Sequence, residues 1–224
     1  MGHMIEQIAL ERGHEIVGVI DPTLAVSHQP SVISFDSEEF RSADVAIEFT
    51  TPATAKDNIL RAWAQGVPVV CGSTGWKPEE LTKDKGQWTI DGNKVVIKDE
   101  TGKTMLVWSS NYSIGVNITF DLNKMLAEIM TKQPQYTPSI KEIHHIHKLD
   151  APSGTAKTLA EGLRVTGEGL WNDVPIESIR EGEVPGTHIV TWDSPEDTIV
   201  LTHIAKGRRG FALGAVLAAE EIKN

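Results

Sequence analysis

The sequence predicts an α/β fold in which a doubly wound parallel sheet is joined to a second, α+β unit. Short apolar strands alternate with helical patterns in the first part of the chain, which is typical of parallel sheets. Beyond residue 112 the pattern changes to one amphipathic helix followed by several strand patterns, and a last apolar helix could pack back on the first unit. We therefore expect one unit at 1–111 with 207–224, and another at 112–206.

The first unit contains the alternating elements. Residues 5–12 have a helical period that ends at Gly13, and residues 15–20 form an apolar strand pattern that ends at Asp21. The further elements predicted here are a strand at 44–49, a helix at 54–65, a strand at 67–71 and a strand at 106–110. Turn pairs between residues 87 and 103 predict a small β excursion.

The ends of three predicted strands indicate a nucleotide site. In dinucleotide-binding folds, an acidic residue at the end of the second strand binds the adenosine ribose hydroxyls, and Asp21 occupies that place. An Asp-Pro turn explains the same residue equally well. Residues 50–52 and 72–75 are small polar loops after two further strands, where ligands bind in open α/β sheets. Together these features favour a Rossmann-like, doubly wound sheet.

The second unit is predicted to begin with an amphipathic helix at 116–130 and a strand at 139–149. Its remaining predicted elements are antiparallel strands near 177–181, 188–193 and 198–205. Residues 207–222 then form a helix with an apolar stripe, which we expect to return to the first unit.

The stretch from residue 142 to 156 carries the chemistry of the second unit. Three histidines and Lys148 stand at the end of a predicted strand, directly before a helix start that Ser153 would cap. The amides of Gly154 and Thr155, aided by the helix dipole, suit a carboxylate or a phosphate. Histidine titrates near neutrality and lysine is a cation or an acid, so the cluster could bind an anion and protonate it.

Strand alternation does not settle which imidazoles converge. Glu142, His144 and Lys148 would share one face of a continuous strand. His145 and His147 form an H-x-H pair of the kind that ligates zinc, although the adjacent lysine ammonium would repel a divalent cation. Further conceivable metal ligands are Glu142, His188 and His203.

The composition excludes several classes of protein. With 40% hydrophobic and 23% charged residues, the chain is an ordinary globular protein. Its formal net charge of −10 argues against a nucleic-acid partner, so an anionic ligand would need a local positive pocket. One cysteine, Cys71, excludes an intrachain disulfide and favours a reducing compartment. No apolar run reaches membrane-spanning length and the N-terminus lacks a signal-peptide pattern, so we expect a cytoplasmic protein without a membrane partner.

Residues 144–155, His-His-Ile-His-Lys-Leu-Asp-Ala-Pro-Ser-Gly-Thr, resemble the signature of the 4-hydroxy-tetrahydrodipicolinate reductase family, traditionally called dihydrodipicolinate reductase. Supporting segments occur in the expected order at 49–52, 72–75, 109–117 and 207–215. The resemblance covers nearly the whole chain. It implies NAD(P)H-dependent reduction of 4-hydroxy-tetrahydrodipicolinate to tetrahydrodipicolinate, a step toward diaminopimelate and lysine.

The resemblance also implies roles for individual residues. His144 would donate or accept a proton and Lys148 would donate one, with no metal involved. The residues that would hold the substrate carboxylates are His145, Gly154 and Thr155. The residues that would line the cofactor site are Asp21, Gly72, Thr74, Ser109 and Tyr112. A homotetramer assembled through the sheet of the second unit is the usual state of the family.

The sequence departs from the family pattern in two places. The family begins with a strand and a G-x-G-x-x-G phosphate loop, whereas this chain opens at Met1-Gly2-His3-Met4, which looks like the end of that loop. Either a preceding segment is missing from this sequence or the chain binds cofactor weakly. In addition, Asp21 is followed by Pro22, with no adjacent Arg or Lys to receive a 2′-phosphate, so we expect NADH to be preferred over NADPH.

Two functions from other classes remain open from the sequence. One is a catalytically inactive protein that keeps the dicarboxylate pocket but cannot use a dinucleotide because the phosphate loop is missing. The other is a metal-dependent hydrolase built on His145 and His147.

Overall fold

A computed structural model of the chain describes residues 1–21, 34–81, 87–91 and 94–223. The chain divides into two compact units, Met1–Tyr112 with Phe211–Asn224, and Ser113–Gly210. From the sequence we placed these boundaries after residues 111 and 206. The predicted strand at 15–20 forms only an isolated bridge at Val19 within the described residues. Residues 22–33, which include the Asp-Pro turn position Pro22, lie outside the described residues.

The helices are numbered in chain order. They are α1 (Gly2–Glu11), α2 (Glu38–Arg41), α3 (Pro52–Ala64), α4 (Ile114–Met130), α5 (Gly154–Thr166) and α6 (Arg209–Lys223). A 3₁₀ turn at Pro78–Leu81 adds to these. Sequence signals explain several ends: Gly13 takes a positive φ of 84° just after α1, and Pro52 stands at the first position of α3. Among the described residues, no helix is both long and apolar enough to span a membrane.

The first unit is built on one mixed sheet. Its strands are β1 (Ala46–Glu48), β2 (Val69–Cys71), β3 (Gln87–Asp91), β4 (Lys94–Lys98) and β5 (Thr104–Ser109), in the order β1-β2-β5-β4-β3. β1, β2 and β5 run parallel, as the alternation of strands and helices predicted. β3 and β4 pair antiparallel, because two strands separated by only two residues leave no length for a parallel crossover.

Alternation along β2 distributes the core of the first unit over both sheet faces. Val69 and Cys71 pack with the buried face of α3, whereas Val70 packs on the other face with buried alanines of α6. Helices on both faces confirm the doubly wound, Rossmann-like class. α1 packs against α6 through Ile8 and Val216, and Phe211–Asn224 belongs to the first unit.

Cys71 is fully buried at the end of β2. Its thiol donates a hydrogen bond to Glu48 Oε2 at 3.0 Å. Burial, reinforced by the Glu48 charge, raises the pKa of the thiol far above its usual range. Cys71 is therefore a neutral, packed side chain in the folded protein.

The second unit contains a four-stranded sheet. Its strands are β6 (Thr137–His144), β7 (Ile176–Arg180), β8 (Thr187–Asp193) and β9 (Thr198–Ile204), in the order β7-β6-β8-β9. The prediction that all the later strands are antiparallel was wrong for β7, which runs parallel to β6. The reason is that α5 lies between them in the chain and returns it to the same end of the sheet, as in a β-α-β unit.

β6 is shorter than the predicted strand at 139–149, because the chain turns after His144. The amide of Ile146 donates to the Gly182 carbonyl at 3.1 Å, and that of Lys148 donates to the His145 carbonyl at 3.1 Å. The expectation that Lys148 shares a strand face with Glu142 was therefore wrong. Lys148 is positioned by a turn instead.

One face of this sheet carries the core of the second unit. α4 and α5 cover it, and Trp192 of β8 is fully buried there. Its ring meets Trp171 edge to face with centroids 4.8 Å apart. The segment that follows α5 is thus packed on this core.

Gly214 of α6 gives a direct test of the packing in the first unit. A Cβ added to Gly214 would lie 1.7 Å from the Tyr112 carbonyl oxygen, which is main chain and cannot swing aside. We expect Gly214→Ala to lower the free energy of unfolding by about 3 kcal/mol or more. Urea unfolding measures this, with Gly2→Ala as the control because a Cβ there meets nothing within 4 Å. Equal stability of the two variants would contradict the packing described.

Candidate active site

Glu142 is the buried anion of the site at the end of β6, and it is fully inaccessible to solvent. Its two carboxylate oxygens accept the backbone N–H of Ser153 at 3.0 and 3.1 Å. Arg180 Nη2 donates to Glu142 Oε1 at 3.1 Å. Burial raises the pKa of Glu142, but the hydrogen bonds from Ser153 and Arg180 outweigh it and lower the pKa to about 2. The carboxylate therefore stays ionised in the folded protein.

His144, the expected proton donor or acceptor, lies two residues along β6 from this carboxylate. The imidazole is buried, and its Nδ1 is 3.4 Å from Glu142 Oε2. A Cβ added to Gly186 would lie 3.2 Å from His144 Nε2. The glycine therefore leaves space beside that nitrogen. Burial lowers the pKa of His144 and the Glu142 charge opposes the shift only in part. The ring is neutral at pH 7.

His188 of β8 completes the buried cluster. It lies opposite Glu142 across the β6–β8 ladder, and its ring meets that of His144 edge on with centroids 5.0 Å apart. Its Nε2 is 3.3 Å from Ser153 Oγ. Burial, followed by repulsion from His144, lowers the pKa of His188 to about 4. The sequence suggested only a metal-ligand role for this residue.

Arg180 is a residue of the site that the sequence did not reveal. In the parallel register of β6 and β7 it lies opposite His144. Because the sequence patterns suggested an antiparallel β7, no signal placed its guanidinium beside the histidines. The only cue would have been an Arg at the end of a strand that follows a crossover helix.

The turn after β6 carries the other predicted residues. Lys148 Nζ is 2.7 Å from Asp150 Oδ1, and the lysine side chain is mostly buried. His145 is partly buried, and its Nδ1 makes no hydrogen bond among the residues the structure describes. His147 points outward, with Nε2 3.4 Å from Glu183.

The start of α5 has the predicted geometry. Ser153 is the N-cap, and its hydroxyl accepts the N–H of Ala156 at 3.2 Å. Gly154 is exposed and a Cβ there would meet nothing within 4 Å, so the first turn is open to a ligand. Thr155 is the next residue of that turn. A helix N-terminus with this access suits an anionic group.

A metal ion fits this cluster poorly. Glu142, His144 and His188 are the three described residues whose ligand atoms lie within 4.8 Å of one another. The carboxylate is already paired with Arg180, and the Lys148 charge lowers the pKa of both histidines. Two cations therefore face the place where a third would sit. The H-x-H pair predicted from the sequence, His145 and His147, is not part of this cluster, and its ring centroids lie 6.1 Å apart.

The predicted cofactor residues lie in the first unit, after parallel strands. Gly72 and Thr74 follow β2, and Ser109 ends β5, so both loops lie at the carboxyl edge of the sheet. The loop after β2 is fixed by Trp76 and Trp108, whose indole N–H groups both donate to the Ser73 carbonyl at 2.9 Å.

The same edge fits a dinucleotide in one further respect. The Ser73 hydroxyl is buried without a hydrogen-bond partner among the described residues, which is the state expected of a group that bonds a ligand. Gly72 is required there, because a Cβ would overlap the Phe49 ring at 2.2 Å. Asp21 is half-buried at the end of the segment after α1.

Tyr112 differs from the other four residues. Its side chain is buried, and its hydroxyl donates to the main-chain carbonyls of Val107 at 2.7 Å and Cys71 at 3.1 Å. Burial raises the pKa of Tyr112 well above its usual value. The hydroxyl thus serves the sheet, and any contact of Tyr112 with a cofactor would come from its main chain.

A Rossmann-like sheet joined in one chain to an α+β unit with a cationic strand-to-helix junction is an architecture of the two-domain, dinucleotide-binding class. Family models for the N-terminus and C-terminus of dihydrodipicolinate reductase match residues 1–87 and 115–224. The chain belongs to the dihydrodipicolinate reductase family.

Individual relatives agree with this assignment. The chain is 39% identical to a 4-hydroxy-tetrahydrodipicolinate reductase of Christiangramia forsetii, over 100% of this chain and 89% of the relative. It is 34% identical to one of Lawsonia intracellularis, over 99% of this chain and 89% of the relative. A solved dipicolinate-bound dihydrodipicolinate reductase from Paenisporosarcina sp. TG-14 shares the fold, with a TM-score of 0.62 and 22% identity over 80% of this chain and 69% of that chain.

Burial of neutral His188 makes the stability of the protein depend on pH. Its pKa is about 4 when folded against 6.5 when exposed, so the unfolded chain takes up a proton first as the pH falls below about 6.5. The free energy of unfolding then decreases as the pH falls, until the pH reaches about 4. We expect this residue to remove roughly 2 kcal/mol between pH 7 and pH 5.

Urea unfolding at the two pH values measures the effect. His188→Gln should lose less stability than the unmodified protein over this interval, whereas His3→Gln, which changes an exposed histidine, should behave like the unmodified protein. An identical pH dependence in all three proteins would refute the burial of a neutral His188.

Proposed function

We propose that this chain reduces 4-hydroxy-tetrahydrodipicolinate to tetrahydrodipicolinate with a nicotinamide cofactor, in the synthesis of diaminopimelate and lysine. The observation that carries the proposal is the junction of β6 and α5, where His144 and Lys148 stand beside an open helix N-terminus. Similarity over the full chain to reductases of this name supports it. The similarity to these reductases supports neither an inactive binding protein nor a metal-dependent hydrolase built on His145 and His147.

The substrate is a small dicarboxylate, and the start of α5 offers a place for one of its carboxylates. We assign one carboxylate to the amides and hydroxyl at Gly154 and Thr155, where the helix dipole favours negative charge. We assign the imidazole of His145 to binding of a substrate carboxylate as well. Lys148 adds a nearby positive charge that is partly shielded by Asp150.

The chemistry of the two side chains suggests different roles for the two proposed catalytic residues. Lys148 suits the proton donor, because a lysine ammonium carries three N–H groups and no acceptor. His144 has a lowered pKa and is neutral, so it suits a group that accepts or passes on a proton. The nicotinamide, when bound, supplies the hydride.

The cofactor is assigned to the first unit. We place its binding groups at Asp21, Gly72, Thr74 and Ser109, and assign to Tyr112 only a main-chain contribution. The unpartnered Ser73 hydroxyl supports this choice of edge.

We also propose a homotetramer that assembles through the sheet of the second unit, and action in the cytoplasm. α4 and α5 cover one face of this sheet. On the other face, Val200 and Ile204 of β9 are 53% and 64% exposed. Exposed apolar side chains on an open sheet face favour association with another copy.

Removal of either proposed catalytic group tests the assignment. We expect His144→Ala and Lys148→Ala to lower kcat by about 10²-fold or more, because each removes a proton-transfer group, and to leave NADH affinity nearly unchanged. NADH oxidation, with substrate generated in the cuvette by dihydrodipicolinate synthase, measures kcat. His147→Ala is the control, since this imidazole lies in the same turn and is exposed. Near-normal turnover of both catalytic variants would disprove their roles.

The cofactor preference gives a separate test. Asp21 would bond the ribose hydroxyls of NADH and repel the 2′-phosphate of NADPH. We expect a KM for NADH at least about tenfold below that for NADPH, and Asp21→Ser should narrow the gap. Steady-state kinetics with both cofactors measure it. Equal constants in the unmodified protein would overturn the preference.

A further inference from the structure

Arg180 joins separate parts of the candidate site through one guanidinium. Nε donates to the Lys148 carbonyl at 3.2 Å, and Nη2 donates to the Asp150 carbonyl at 2.6 Å and to Glu142 Oε1 at 3.1 Å. Nη1 donates to the Ile179 carbonyl at 2.8 Å. Its side chain is only 19% exposed. The guanidinium is therefore committed to the protein, and it differs in this from a cation that receives substrate.

These bonds hold the turn that carries Lys148. The main-chain carbonyls of Lys148 itself and of Asp150, two residues further on, both accept hydrogen bonds from the Arg180 guanidinium. A planar guanidinium can bond several acceptors at once in fixed directions, which a lysine ammonium cannot reproduce. Arg180 thus fixes the backbone from which Lys148 projects.

Glu142 acts on the other side of the same ion pair. Its oxygens accept the Ser153 amide, which fixes the N-cap of α5, and Oε2 faces Nδ1 of His144 at 3.4 Å. Nδ1 makes no hydrogen bond among the described residues, so the carboxylate acts on the imidazole through its negative charge. One buried carboxylate therefore lies against both the His144 imidazole and the start of α5.

Stability alone gives little reason to bury such a pair. Desolvation of a carboxylate and a guanidinium offsets most of their attraction, and apolar replacements of similar volume are often as stable. What the pair supplies is a fixed arrangement of the groups around it. Three of those groups are the ones assigned to chemistry and to substrate binding above.

We propose that Arg180 and Glu142 are positioning residues for the reduction, which set the places of His144, Lys148 and the start of α5 without contacting the substrate. This inference rests on the proposed function. It predicts that weakening the pair reduces turnover in a protein that remains folded, and that it weakens binding of a dicarboxylate while NADH binding is kept.

The first test uses Arg180→Lys, which keeps the positive charge and removes the planar guanidinium with its several N–H donors. We expect kcat to fall about 10- to 100-fold and the Kd for pyridine-2,6-dicarboxylate to rise at least about fivefold, with the Kd for NADH within twofold. Turnover assays and calorimetry measure these values, and circular dichroism confirms folding. A purely structural role would lower the melting temperature and leave kcat and both Kd values of the folded protein unchanged.

The second test uses Glu142→Gln, which keeps the shape of a fully buried side chain and removes its charge. Several charged or titratable groups face His144. They are Glu142 on β6, Arg180 on β7, His188 on β8, and Lys148 and Asp150 in the turn. Glu142 raises the pKa of His144, so its loss should move the acidic limb of the pH profile of kcat to lower pH. This variant also carries the test if Arg180→Lys does not fold.

The chain supplies a matched control. Lys141 and Glu177 form an ion pair at 2.8 Å on the same two strands, one register step from Glu142, and both side chains are exposed. Lys141 lies on the open face of the sheet, so size-exclusion chromatography first confirms that Lys141→Gln assembles like the unmodified protein. In the equally assembled variant, kcat, its pH profile and both Kd values should be unchanged. If Lys141→Gln lost as much activity as Arg180→Lys, the proposal would be overturned.

The outcomes separate this inference from the function on which it rests. If the unmodified protein and Lys141→Gln show no turnover, the proposed function fails. If both turn over, and folded Arg180→Lys and Glu142→Gln keep kcat within about threefold, the reduction stands and the positioning role is wrong. Loss of kcat in both variants with intact NADH binding supports the pair.

Discussion

The ionised carboxylate of Glu142 is the constraint around which the second unit is organised. It lies in the interior, where an unpaired charge would be costly, and so it requires donors from several directions. The donors come from the N-cap of α5 and from the end of β7, which are far apart in the chain. Satisfying one buried charge thus brings a strand end, a helix start and a turn into a single arrangement.

Much of this arrangement could be predicted from local sequence. Ser153 as a cap, the helix that follows it and the cluster of basic side chains are encoded within a few neighbouring residues. The strand-helix alternation of the first unit is likewise local. The end of β6 was misjudged because no Gly or Pro marks it, and the turn is formed by hydrogen bonds to the segment after β7. Such contacts leave no trace in the pattern of a single strand.

The remaining part of the site depends on strand register, which the sequence does not state. Arg180 reaches His144 only because β7 runs parallel to β6 in one particular alignment. His188 reaches Glu142 because β8 pairs with the other edge of β6. A glutamate near a strand end is usually solvated, so its burial could not be inferred before its partners were known. The partner of the Tyr112 hydroxyl was likewise not apparent from the sequence, because it is a main-chain carbonyl of the sheet.

The state of Cys71 makes the first unit convenient to observe. Its thiol is inaccessible, neutral and hydrogen-bonded to a carboxylate, so it resists alkylation and oxidation while β2 is in place. It is also the single cysteine of the chain. Any modification by a thiol reagent therefore reports opening of that strand, and the rate of labelling follows the local unfolding of the Rossmann-like sheet without an engineered probe.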